Sequence, residues 1–69
     1  MLREPTEEYL TGPQVDRRYG FSSMSRWRWV NDPELGFPKP MKIRGRLFFR
    51  LSELEEWERA MATKSRRAA

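Results

Sequence analysis

The chain contains no cysteine and no histidine among its 69 residues. Without cysteine there is neither a disulfide framework nor a thiolate metal site, and without histidine as well the usual zinc-ligand sets cannot be assembled. The same absences remove imidazole acid–base catalysis and thiol nucleophiles. Ser22, Ser23, Ser25 and Ser52 have no base beside them to activate a hydroxyl, so they read as caps or surface groups. The sequence therefore reads as a non-enzyme, with no catalytic residue, no metal and no cofactor. Also missing is a run of about 18 apolar residues, the length a bilayer span needs. Met1-Leu2-Arg3-Glu4-Pro5 lacks the basic-then-apolar order of a secretory signal, which makes the cytoplasm the expected location. A chain this short has room for one domain, which buries roughly 60% of the surface its unfolded form exposes.

What the chain does have is charge, unevenly placed. Its formal net charge is +4. Residues 1–12 hold Arg3 against Glu4, Glu7 and Glu8, and residues 13–36 carry a small positive excess. Residues 37–52 contain Lys39, Lys42, Arg44, Arg46 and Arg50 with no acidic residue. In residues 53–69, Glu53, Glu55, Glu56 and Glu58 balance Arg59, Lys64, Arg66 and Arg67. A polyanion responds to such a local basic surface rather than to the total.

Residues 1–8 are polar, include Pro5 and show no apolar period, so they read as a flexible arm. Thr11-Gly12-Pro13 then offers a helix start with proline in the first turn, where its missing N–H is harmless. That helix is expected to end at Gly20, with Val15 and Tyr19 sharing a buried face at i and i+4. Gly20 supplies a left-handed helix end, Phe21 a core anchor, and Ser22 a cap for the next helix. Helix, glycine turn and capped helix in this order make a helix-turn-helix.

The second helix is expected from about Ser23 to Asn31 or Asp32, bounded by Pro33. Large side chains project all round it. At about 100° per residue, Trp29, Val30 and Arg26 share one side, and Met24, Trp27 and Arg28 share the other. Assigning Trp29 and Val30 to the core exposes Ser23, Met24, Trp27 and Arg28. The opposite register buries Met24 and Trp27 as the core stripe and frees Arg26 to solvent, because tryptophan is mostly a core residue.

Leu35 and Phe37 are expected to tuck inward from a loop stiffened by Pro33, Pro38 and Pro40. A hairpin follows, with Met41–Arg44 and Leu47–Arg50 flanking Gly45-Arg46. Alternation puts Met41 and Ile43 on one face and Lys42 and Arg44 on the other; either Phe48 or Phe49 points inward. Ser52 with Glu55 spells a capping box, so the last helix is expected to start at Ser52. Leu54, Trp57 and Met61 form its core stripe, and residues 63–69 read as a basic disordered tail.

The expected fold class is α+β: a small winged helix-turn-helix spanning residues 9–62, with a two-helix motif, a hairpin wing and a C-terminal helix. Such a domain is suited to double-stranded DNA. Its second helix enters the major groove with Ser23, Met24, Trp27 and Arg28 as the reading side chains. Arg28 can donate two parallel bonds to guanine, while Met24 and Trp27 can contact thymine methyls or pack on the sugar-phosphate backbone. Lys42, Arg44 and Arg46 on the wing neutralise phosphates, and Arg46 can probe the minor groove. A protein-binding antirepressor, with Trp27, Trp29 and Phe48 as an exposed apolar patch, is the alternative of a different class.

Tyr19–Trp29, then Gly36–Ile43, the Arg44-Gly45-Arg46 turn and Ser52–Trp57 together resemble the AlpA family of short phage and prophage regulators. That family is related to MerR-like winged helix-turn-helix proteins and to small excisionases. The resemblance covers about residues 9–61. It implies a DNA-binding protein of a mobile element, nucleoid-associated in the cytoplasm, acting as a transcriptional regulator or as an excisionase that bends attachment-site DNA. It carries the recognition positions onto Ser23, Met24, Trp27 and Arg28, and the wing positions onto Arg44 and Arg46. Further partners on this reading are a second copy, as a homodimer or head-to-tail multimer on DNA, and an integrase or RNA polymerase, with no membrane. Arg26 departs from the family, which usually has an inward-packed aliphatic residue there.

Overall fold

Thr11 ends one element and starts the next. In the computed structural model, which describes residues 7–68, its extended backbone closes β1 (Tyr9–Thr11) and caps α1 (Gly12–Tyr19). The Thr11 hydroxyl accepts from the Gln14 amide at 3.4 Å, while the Thr11 amide donates to Gln14 Oε1 at 2.9 Å. This reciprocal capping box satisfies two amides that the first turn would leave unpaired. Gly20 ends α1 in the left-handed region at φ 68°, and the Phe21 amide donates back to the Asp16 carbonyl at 3.1 Å. Ser22 then caps α2 (Ser23–Val30), accepting from the Ser25 amide at 3.2 Å.

After the proline-rich loop come β2 (Met41–Ile43), β3 (Arg46–Arg50) and α3 (Leu51–Ala68). The architecture is α+β: three helices and one antiparallel sheet in the order β1-β3-β2 among the described residues. β3 is central, with Leu10 opposite Phe49 on one side and Lys42 opposite Leu47 on the other. Directly paired residues share a sheet face, so Leu10, Phe49, Leu47 and Lys42 look toward the helices, and Tyr9, Phe48, Met41 and Ile43 look away.

The core is small and aromatic. Val15, Phe49 and Leu54 are wholly buried and Phe37 nearly so. Tyr19, Phe21, Trp29 and Trp57 pack against them. The rings meet edge to face: Phe21–Trp29 at 4.8 Å, Phe37–Trp57 at 4.9 Å and Trp29–Phe37 at 5.5 Å between centroids. Such contacts add to the area they bury. Trp57 also donates its indole N–H to the Leu35 carbonyl at 3.1 Å, holding the loop against α3.

The sheet has one strand that the sequence reading does not include, and three local expectations need correction. Tyr9–Thr11 is a strand, made by pairing with β3 rather than by any local pattern. The hairpin turn is Arg44-Gly45, not Gly45-Arg46, with both residues left-handed at φ 51° and 79°. The last helix begins at Leu51, and the Ser52 hydroxyl donates to Glu7 Oε2 at 3.0 Å instead of capping. The same helix continues through residues 63–68, where a disordered tail is expected; no proline or glycine stands there to stop it. Of the expected arm, residues 1–6 lie outside the described part. Glu7 receives the Ser52 hydroxyl, and the Glu8 carbonyl accepts from the Leu51 amide at 2.9 Å.

Candidate nucleic-acid interface

The register of α2 decides which of its bulky side chains meet solvent. Trp29 lies in the aromatic cluster and Val30 packs against the core. The opposite arc is open: Met24 is 59% exposed and Trp27 64%, with Ser23 and Arg28 exposed beside them. Ser23, Met24, Trp27 and Arg28 therefore occupy one continuous face, as expected when Trp29 and Val30 are assigned to the core. The alternative register, with Met24 and Trp27 buried, is not adopted.

What makes this register tolerable is Arg26, which it turns toward α1. The guanidinium lies directly over Gly12: a Cβ built there would fall 1.5 Å from Nη1. Gly12, having no side chain, thus leaves the space that the guanidinium occupies. Arg26 Nε also comes within 3.3 Å of Asp16 Oδ1, both side chains being largely covered. The approach is charge pairing without hydrogen-bond alignment, and that oxygen has no hydrogen-bond donor among the described residues. Sequence reasoning misses Asp16 and Gly12 as partners of Arg26. An Asp ten residues before an Arg on a neighbouring helix has no periodic signature.

The hairpin stands beside α2. Leu47 of β3 joins Ser23, Met24, Arg26, Trp27 and Val30 around a groove of about 540 Å³. A second recess of about 360 Å³ lies between the start of α1 and the hairpin, where Gly12 and Pro13 face Gly45 and Arg46. Lys42, Arg44 and Arg46 are all exposed, but they do not share one face. Lys42, opposite Leu47, is on the helix-facing side; Arg46, opposite Ile43, is on the other; Arg44 sits in the turn. The alternation of Met41 and Ile43 against Lys42 holds, whereas Arg44 falls in the turn instead of sharing the face of Lys42. Met41 and Ile43 are 42% and 49% exposed on the outer face, and Phe49 rather than Phe48 is the inward ring.

Trp27, Trp29 and Phe48 are not gathered into one patch. Trp29 belongs to the internal cluster, and Phe48 points away from the helices. Among the described residues there is no group of three or more acidic side chains placed to hold a metal ion, and no helix is long and apolar enough to cross a membrane. Comparison with protein-family models, curated proteins and solved structures returns no match.

Proposed function

We propose that this chain is a small winged helix-turn-helix protein that binds double-stranded DNA and regulates transcription. In this reading α2 enters the major groove and the β2–β3 hairpin rests on the neighbouring backbone. The observation that carries the proposal is the outward face of α2. Ser23, Met24, Trp27 and Arg28 are left free of the core beside a hairpin that carries Lys42, Arg44 and Arg46 and no acidic residue.

Arg44 adds independent support. A two-residue turn with both residues at positive φ favours Asn-Gly or Gly-Gly, and arginine in the left-handed region is costly by about 1 kcal/mol. A residue that opposes the fold's own preference points to a use outside the fold. Phosphate neutralisation at the wing tip is that use.

Arg28→Ala tests the reading. As a base reader, Arg28 is expected to contribute about 1 to 3 kcal/mol on the selected site and much less on random duplex DNA. Equal losses on both would make it a phosphate contact. Footprinting on the DNA flanking the protein's own reading frame separates regulation from excision. Promoter-proximal sites support a regulator, and cooperative tandem occupancy of an attachment site supports an excisionase.

A further inference from the structure

The groove between α2 and the hairpin is apolar in a cationic setting. Among the described residues, Arg26 is the only charged side chain in its lining, and the rest of the wall is chiefly Met24, Trp27, Val30 and Leu47. Met24 and Trp27 leave more than half of their surface free on its rim. Exposed basic residues stand beside it: Arg28 follows Trp27 on the outward arc of α2, and Lys42 pairs across from Leu47 on the same sheet face.

The major-groove floor offers hydrogen-bond donors and acceptors from every base pair and a single apolar group, the thymine C5-methyl. A surface of cations flanking an apolar strip is complementary to phosphates flanking that methyl. An apolar peptide would match the strip but leave the surrounding cations unpaired. Methionine suits such a contact because its unbranched thioether adapts to the position of a small partner. Resting on the DNA-binding reading above, we propose that Met24 and Trp27 form a thymine-reading surface, which makes this protein selective for methyl-bearing base steps.

The test selects bound duplexes from a randomised pool with the full chain, then replaces each thymine of the selected site in turn by deoxyuracil. Uracil keeps every hydrogen-bonding group and loses only the methyl. At one or two positions affinity is expected to fall about fourfold, the ratio corresponding to one buried methyl group. In Met24→Ala, that thymine-to-uracil ratio is expected to drop to about one while the salt dependence of binding persists. The uracil comparison uses the unaltered protein, so it does not depend on the variant's folding. Equal binding of thymine and uracil duplexes, with salt dependence intact, would overturn the thymine surface and leave DNA binding standing. A selected site without thymine, or an unchanged ratio in Met24→Ala, would overturn it too. Failure to bind any duplex would overturn both proposals.

Discussion

Arg18 and Glu58, 40 residues apart in sequence, meet in a two-pronged ion pair, with Nε donating to Oε2 at 2.7 Å and Nη2 to Oε1 at 2.8 Å. The Tyr19 hydroxyl donates to the same Oε2 at 2.5 Å. One carboxylate thus ties the end of α1 to the middle of α3.

This tie has a pH signature. The Arg18 guanidinium, first by hydrogen bonding, holds the Glu58 carboxyl below its ordinary range; burial, then Glu58, pushes the Tyr19 phenol up. A lowered carboxyl contributes stability that is present above its unfolded pKa near 4.3 and lost as pH falls through the folded value. A raised phenol contributes stability that is complete below about pH 10 and lost as pH rises beyond it. Thermal melting is therefore expected to plateau between about pH 5 and 9 and to fall on both sides. Glu58→Gln should cost about 1 kcal/mol, a value discounted because both ion-pair side chains remain about a third exposed, and should weaken the acid limb. An acid limb identical in the variant would place the titrating group elsewhere.

Arg26 and Asp16 act as a unit. Arg26→Met leaves a largely covered carboxylate without its cation and is expected to cost about 1 to 3 kcal/mol. Adding Asp16→Asn should recover much of that loss, because the residual charge is what destabilises. A double-mutant cycle by chemical denaturation reads the coupling. Strict additivity would mean that the 3.3 Å approach carries no energy.

The two tryptophans of α2 should separate cleanly. Trp27→Ala is expected to melt within about 0.5 kcal/mol of the parent, as exposed substitutions do, and to lose DNA affinity. Trp29→Ala removes a ring from the cluster and should cost about 3 kcal/mol. Equal losses of stability in the two variants would contradict the observed register.

Much of the fold is legible in the sequence because it is local. Gly20, Ser22 and the Val15–Tyr19 spacing specify the two capped helices and the turn between them within a dozen residues, and Leu54 and Trp57 specify the inner face of α3. What escapes a sequence reading depends on distant partners. Tyr9–Thr11 becomes a strand only because β3 arrives beside it, and Ser52 forgoes its capping role because Glu7 lies within reach. The register of α2 is hard to choose from its own eight residues, because both faces are large; the packing of Trp29 and Val30 against the distant rings and strands of the core selects it. Glycine's preference for positive φ places the hairpin turn one residue too late, because Arg44 adopts the unfavourable conformation first.

If the hairpin and α2 form one DNA-binding surface, the salt dependence of duplex binding must report the charges of the wing. With about five phosphates neutralised, log K should fall against log salt with a slope of roughly −4 to −5. Arg44→Asn installs the favoured Asn-Gly turn, so it should leave the domain at least as stable while removing a charge. Combined with Arg46→Gln it should make the slope shallower by about 2, near 0.9 for each phosphate no longer neutralised. A slope unchanged in this folded double variant would remove the wing from the interface, and a parent chain that binds no duplex DNA at low salt would remove the interface itself.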